Sequence, residues 1–314
     1  MINIEVSVVI VTYNRKKMLE RTLLALLAQT YPIKKIILID NASTDGTMQF
    51  LAEKGFLGMD QIIYKPLVEN LGGAGGFQIG IEMASDFDSE WIWLMDDDGY
   101  PEHDCLEKLL SYKDQYDFYG PLVIDDLTKE SLSFPINYAK SNKIFQTKTE
   151  IDQFMLEQNT NTLNDILIPF NGVMLNKKLV EKIGMPYAKF FIWGDDIEYT
   201  YRARKAGARI ATITDVLFFH PRALNLGEKL FFGMMQFNDT DSKIKLYCLC
   251  RNNANNLKVY RSRLHALGFM LKAYWFYTIT KPSLKKLKLV NSALWAGWKG
   301  NFNKHKAYIG ESFK

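Results

Sequence analysis

Val6-Ser-Val-Val-Ile-Val11, then a helix-period segment over Lys17–Gln29, then Ile36-Ile-Leu-Ile39: this succession decides the fold. Uncharged runs rich in β-branched residues read as strands buried on both faces. Ile62–Lys65 and Trp91–Met95 repeat the pattern, with helical segments at Thr47–Glu53 and Phe77–Ser85 between them. Thr44 and Asp45 supply capping chemistry ahead of the first of these helices. Strands alternating with helices predict an α/β fold with a doubly wound, mostly parallel sheet. Ligands of such sheets bind beyond the carboxyl ends of the strands.

Downstream the pattern is less regular. Asp125–Asp165 is polar and reads as loops, with a hairpin around Ser131–Phe145. Order returns with a strand in Ile166–Leu175, a helix from Asp195 to Ala206 and a strand from Arg209 to Phe219. After Pro221 the chain reads as helical, broken at Pro282 and by Gly268, Gly297 and Gly300. The expected division is a catalytic domain over residues 1–235 and a basic, aromatic helical region over 236–314.

The 314 residues are 47% hydrophobic and 24% charged, values that exclude disordered and fibrous classes. A net charge of +4 hides an asymmetry: Arg251–Lys314 holds 13 Lys/Arg and one acid, Glu311, so the body before it is acidic. An acidic body with a basic end suits a chain that meets an anionic surface. Three cysteines, none in a Cys-x-x-Cys pair, support neither a disulfide framework nor a zinc site. No signal-peptide pattern and no run of about 18 apolar residues is present. The expectation is a cytoplasmic protein, either soluble or lying on a membrane without crossing it.

The acids at strand ends carry the chemistry. In Trp91-Ile-Trp-Leu-Met-Asp96-Asp97-Asp98, the period of two sends Asp96 and Asp98 to the same side where the strand ends. Two converging carboxylates repel unless a cation lies between them, and hard oxygen ligands favour Mg²⁺ or Mn²⁺. Asp40, ending Ile36–Ile39, is placed for a base or a ribose, or for a turn leading to a helix cap. Thr12-Tyr-Asn-Arg15 closes the first strand in the equivalent place, with Arg15 facing a diphosphate or solvent. Asn70-Leu-Gly72-Gly73-Ala-Gly75-Gly76 reads as a strand-to-helix loop that lets main chain approach a ligand. In Trp193-Gly-Asp195-Asp196-Ile-Glu198, one acid caps a helix and the other is free to act as a base. His220, closing the last strand, fits a structural role or a third metal ligand.

One reaction unites these parts. A sugar leaving a nucleotide diphosphate builds negative charge that a divalent cation neutralises, so no protein acid is required. A single carboxylate then takes the proton of the attacking hydroxyl from the opposite face, and the anomeric carbon inverts.

Val8-Val-Ile-Val-Thr-Tyr-Asn-Arg15, Asp40-Asn-Ala-Ser-Thr-Asp-Gly46, the triple Asp and the Asp195-Asp196 pair together resemble family 2 glycosyltransferases of the GT-A fold. Asn70–Phe77, Trp193–Glu198 and His220 look more narrowly like bacterial galactofuranosyltransferases, over about residues 5–222. Tyr247–Asn252 is similar to an Arg-Asn element that follows the catalytic domain in relatives. The resemblance implies Asp96, Asp98 and His220 as ligands of Mn²⁺ or Mg²⁺ and Asp196 as the base. It implies Asp40 at a uracil or thymine, Thr12 and Arg15 near the nucleotide, and Gly72, Gly73, Gly75 and Gly76 along the donor. Asn70, Asp97 and Trp193 would join the substrate contacts, and Asp195 and Glu198 would orient acceptor or sugar. The implied donor is UDP-galactofuranose, with dTDP-rhamnose as the alternative, and the acceptor a glycan or lipid-linked glycan. The chain is far shorter than the large polymerising members, which favours adding one or a few residues.

In the basic end, Leu264–Thr280 is strongly apolar around Lys272, as in an amphipathic helix lying at lipid headgroups. Each cation near anionic lipid contributes about 1 kcal/mol. The equal alternative is a helical subdomain, packed on the catalytic domain or joining a homo-oligomer. No nucleic-acid-binding module is visible. Other classes fit less well. A sugar-nucleotide pyrophosphorylase needs a glycine-rich basic loop after the first strand, a nicotinamide dehydrogenase needs a different glycine spacing, and a membrane scaffold leaves the acids unexplained.

Overall fold

β1 (Val6–Thr12) is buried along its whole length, and Val and Ile, stiff at χ1, suit a strand packed on both faces. After it come α1 (Lys16–Leu27), β2 (Lys35–Asp40), α2 (Thr47–Glu53), β3 (Ile62–Pro66), α3 (Gly72–Ser85) and β4 (Trp91–Asp96). α1 buries Leu19, Thr22, Leu23 and Leu26, one stripe at helical spacing. The N-cap of α2 is Gly46, which has no side chain to cap with; Asp45, one residue earlier, accepts the first helical amide, of Thr47, at 3.2 Å. β1 pairs parallel with both β2 and β4, and β2 with β3. The computed structural model describes residues 4–138, 143–167, 170–222, 227–230 and 235–313.

The remainder of the sheet is mixed. It is built from β5 (Tyr100–Pro101), β6 (Phe118–Asp125), β7 (Ser131–Tyr138), β8 (Lys143–Thr147), β9 (Thr162–Asn164), β10 (Asn171–Asn176) and β11 (Ile210–His220). Helices α4 (Cys105–Leu110), α5 (Lys148–Gln158), α6 (Lys177–Ile183) and α7 (Asp195–Lys205) interrupt these strands. The central order is β3-β2-β1-β4-β10-β6-β11-β5. β10 runs antiparallel to both β4 and β6, whereas β11 is parallel to β6. The Trp93 indole donates to the Gly172 carbonyl at 2.8 Å and fastens β10 beside β4.

Residues 125–165 hold more structure than the loops expected of them. The hairpin is present as β7 and β8, although residues 139–142 lie outside the described residues. α5 was not anticipated. Thr147 accepts the Glu150 amide while Glu150 accepts the Thr147 amide, a capping box whose Thr-x-x-Glu signature stands in the sequence. The strand expected within Ile166–Leu175 begins only at Asn171, and residues 168–169 lie outside the described residues.

Contacts divide the chain into two compact units. The first comprises Met1–Leu71, Gly76–Met185 and Arg202–Ala223, and contains the whole sheet just described. The second comprises Gly72–Gly75, Pro186–Tyr201 and Leu224–Lys314. It holds the short hairpin β12 (Glu228–Leu230) and β13 (Met235–Phe237), then α8 (Lys243–Asn256), α9 (Arg263–Trp275) and α10 (Leu284–Lys299). Leu246, Tyr247, Phe276, Tyr277, Val290 and Leu294 form its core. Ser242, Ser262 and Ser283 cap the three helices.

Two expected breaks are not breaks. Gly268 lies inside α9 and Gly297 inside α10. Gly297 is there for close packing, because a Cβ would collide with the Arg251 carbonyl on α8. Gly300 does end α10, in the left-handed conformation glycine favours, and Pro282 lies between α9 and α10. Among the described residues no helix is long and apolar enough to cross a membrane.

Removing the α5 cap with Thr147→Ala should cost about 1 kcal/mol. In urea unfolding the midpoint should fall at unchanged slope.

Candidate active site

The carboxyl ends of β1, β2 and β4 gather one group of candidate residues, all within the first unit. Parallel pairing sets Val11 opposite Asp96, which brings Thr12 beside Asp97. The Asp97 carboxylate, only 3% exposed, accepts the Thr12 hydroxyl at 2.7 Å, the Tyr13 amide at 3.2 Å and the Arg15 guanidinium at 3.1 Å. Burial pushes its pKa up against the pull of Arg15 and Thr12. Thr12 and Asp97, expected at the substrate, are therefore committed to one another as a brace between strand ends.

Arg15 also pairs with Asp98 at 2.5 Å. Burial opposes the Arg15 charge, and Asp98 and Asp97 outweigh it, so its pKa rises. Across from it, His220 Nε2 stands 3.2 Å from Asp98 Oδ1. His220 Nδ1 is 2.7 Å from the Pro221 carbonyl, an acceptor, so the ring proton belongs on Nδ1. Were Nε2 without a proton of its own, its lone pair would face Asp98 Oδ1, a buried carboxylate oxygen with no other donor. A proton or a cation between the two satisfies the arrangement. An imidazole fixed through its other nitrogen by a carbonyl is also the usual setting of a metal-bound histidine.

The expected ligand triad is only partly assembled. Asp98 and His220 meet, but among the described residues no three His, Cys, Asp or Glu side chains converge as a metal-binding group. Asp96 is half-buried at the last position of β4. The Arg15 guanidinium, paired with Asp97 and Asp98, offsets the charge of the clustered carboxylates.

Asp40, 3% exposed at the end of β2, accepts the Tyr64 hydroxyl at 2.6 Å and the Ser43 amide at 2.8 Å. Burial and Asp40 together push the Tyr64 pKa up. Asn14 holds the Thr44 amide at 2.7 Å, and Asn41 holds the Leu71 amide at 2.8 Å, next to half-buried Asn70. Tyr64 was not anticipated; its place after a β-branched pair on β3, opposite Leu38, carries no signal without the pairing register.

A cleft of about 690 Å³ lined by Glu102, Lys148, Asp152, Asn161 and Asp215 shares none of these residues.

The glycine segment is not a loop. Gly72 opens α3, so Gly73, Gly75 and Gly76 belong to the first turns of a helix. Gly72 has φ +72°, and a Cβ there would collide with the Phe191 carbonyl. In the first unit, Gly76 and Gly80 bring α3 close to Val11 and Val9 of β1. Packing thus explains Gly72 and Gly76, whereas Gly73 faces open space.

Within the second unit, residues 189–194 are held by side chains of α8. Phe191 and Trp193 have φ of +67° and +59°, left-handed values that non-glycine residues rarely adopt. The two N–H groups of Asn252 Nδ2 are shared among the carbonyls of Phe190, Ile192 and Trp193, which lie at 3.1, 3.0 and 2.6 Å. Asn256 donates to Gly194 at 2.8 Å. The fully buried Arg251 guanidinium donates to Phe190 at 2.7 Å and Lys189 at 3.2 Å, and meets His305 at 3.1 Å. Burial depresses its pKa, and carbonyl dipoles take the place of a carboxylate partner. A run of Asn in the middle of a helix, where Asn is a poor former, is the sequence signal for such backbone capture.

That loop delivers Trp193, 37% exposed, and the acids that open α7. Asp195 is buried, and burial together with the Asp196 charge pushes its pKa well up. Asp196 is half-buried and accepts the Ile197 amide at 2.6 Å; burial nonetheless pushes its carboxyl up to about 6. Glu198 is buried and accepts the Tyr260 hydroxyl, whose ring stacks on Tyr201 at 5.4 Å.

Comparison with known proteins fixes the family. The sequence profile described as Glycosyl transferase family 2 matches residues 7–184. The chain belongs to glycosyl transferase family 2. This glycosyltransferase is 29% identical to "Galactofuranosyltransferase GlfT1" of Mycobacterium tuberculosis over 290 residues, 90% of this chain and 91% of that protein. It is 25% identical to the GlfT1 of Mycolicibacterium smegmatis over 90% of this chain and 93% of that one. Among solved structures, GalNAc-T7 with UDP, GalNAc and Mn2+ superposes with a TM-score of 0.59 at 15% identity, over 92% of this chain and 55% of that one. S. aureus TarS residues 1–349 with UDP-GlcNAc gives 0.56 at 16% identity, over 97% and 84%. The fold is GT-A, as the sequence motifs implied. The family match ends before Asp195, Asp196 and His220, whereas the GlfT1 match runs past all three.

Asn252→Ala should leave the Ile192 and Trp193 carbonyls without their side-chain donor, while Phe190 keeps Arg251, and destabilise the protein by about 1–3 kcal/mol. Chemical denaturation of the purified variant measures it.

Proposed function

We propose that this glycosyltransferase moves galactofuranose, with inversion, from UDP-galactofuranose to a hydroxyl of a glycan acceptor during cell-surface polysaccharide synthesis. The acceptor in this reading is lipid-linked and presented at the inner face of the cell membrane. The observation that carries it is the likeness to galactofuranosyltransferases along 90% of the chain.

In this mechanism Asp40 accepts the imide N–H of uracil with the lone pairs left by Tyr64 and Ser43. Asp98 and His220, with Asp96 two residues before Asp98, would hold Mn²⁺ or Mg²⁺. The approach of His220 Nε2 to Asp98 Oδ1, with the ring fixed through Nδ1, supports that assignment. An ion held there would supply charge stabilisation to the departing diphosphate. Arg15 exchanges Asp98 for a diphosphate oxygen when donor binds. Gly72–Gly76 lie along the donor, where Gly73 leaves room for it. Asp196 takes the acceptor proton. A pKa of about 6 makes it a stronger base than an ordinary aspartate while leaving it ionised at neutral pH. Asp195, Glu198 and Trp193 orient acceptor or sugar.

Incubating the purified chain with a panel of nucleotide sugars and Mn²⁺, read by mass spectrometry, should show cleavage of UDP-galactofuranose. Cleavage of dTDP-rhamnose in its place would reassign the donor, and no cleavage of any sugar nucleotide would remove the reading. Asp98→Ala should abolish metal-dependent cleavage with the fold intact by circular dichroism; an unchanged rate would remove the metal site.

Asp196→Asn should lower transfer by about 10²–10⁴-fold. Because the base works only when ionised, the wild-type rate should climb as pH rises through about 6 and level off above it. A flat profile from pH 5 to 7 would take the proton-accepting role away from Asp196.

A further inference from the structure

α9 and the turn after it bury one face and leave the opposite face apolar. Ala266, Met270, Ala273, Phe276 and Tyr277 point into the core of the second unit. Leu264, Leu267, Leu271, Trp275 and Ile279 stand outside, with Leu264 78%, Leu271 68% and Ile279 60% exposed. Spacings of three and four residues align these five on one stripe about 22 Å long. A soluble surface leaves single apolar residues exposed, but a continuous helical stripe of Leu, Trp and Ile marks a contact face.

Charge says what covers it. Arg263, four residues before Leu267, flanks the stripe on one side, and Lys272, three before Trp275, flanks it on the other. Arg261 stands at its amino-terminal end. From Arg251 to Gly310 there is no Asp or Glu. A second copy of the same stripe would set these cations against cations with no acid to offset them. An anionic lipid surface supplies both partners at once, acyl chains for the stripe and phosphates for its rims. Trp275 and the flanking Lys and Arg are residue types that settle at a headgroup boundary.

We propose that this stripe of α9 docks the protein flat on an anionic membrane surface, without crossing it. The contact involves none of the residues assigned to sugar transfer, so its failure and the failure of the transfer reading are separable.

Co-sedimentation of the full chain with vesicles tests it. Phosphatidylcholine vesicles containing phosphatidylglycerol should bind the protein, and pure phosphatidylcholine vesicles should bind it weakly. Leu264→Glu/Leu271→Glu should cut binding by about tenfold or more, with circular dichroism and sugar-nucleotide cleavage unchanged. Arg263→Gln/Lys272→Gln should cut it on the anionic vesicles alone. Equal binding of wild type and both double variants to anionic vesicles would overturn the proposal. So would a dimer, seen by sedimentation velocity without vesicles, that Leu264→Glu/Leu271→Glu converts to monomer.

Discussion

The buried carboxylate of Asp97 is the constraint on which the joined ends of β1 and β4 rest. A charge with 3% exposure is costly unless fully met by donors. Here the Thr12 hydroxyl, the Tyr13 amide and the Arg15 guanidinium meet it, and all three come from the end of β1. One side chain thus locks the end of β1 to the end of β4. In doing so it fixes where Arg15 stands and which way the chain leaves β4 toward Asp98. The middle acid of the triple Asp thus holds the geometry of the strand ends.

Asp98 is the electrostatic opposite of Asp97. Burial alone would raise its pKa, but Arg15 and a His220 that carries its second ring proton and donates to Asp98 outweigh burial and hold it below the ordinary carboxylate range. Its two partners differ in kind. Arg15 is permanently charged and half exposed, so it can exchange partners, whereas His220 is oriented by its bond to Pro221. Asp98 thus stands between a half-exposed cation and an imidazole fixed by its backbone bond.

In the second unit a different device holds a different strain. Two non-glycine residues in left-handed conformation cost on the order of 1–3 kcal/mol each, and Asn252, Asn256 and Arg251 capture the carbonyls this exposes. The acids of α7 inherit their position from that capture. The same helices that provide it, α8 to α10, have a core of their own, which leaves α9 free to present an apolar outer face.

By itself the sequence determined the alternation of strands and helices, the GT-A family and the acids at strand ends. Those features are local: burial on both faces writes itself as Val and Ile runs, and a strand end is marked where such a run meets Asp or Asn. It placed β1 to β4, α2 and α7 within a residue or two. It also carried a Thr-x-x-Glu signature for α5 that polarity alone obscured. Only the tertiary structure decided that Asp97 faces inward while Asp98 faces His220, because that depends on the register of β1 against β4. The glycine segment proved to be helix for a similar reason: close approach to Phe191 and Val11 sets those residues, and neither neighbour is adjacent in sequence. Tyr64, Arg251 and Asn252 were invisible for the same physical cause, since their partners lie about 24 to 62 residues away and hydrogen bonds at that range leave no periodic trace.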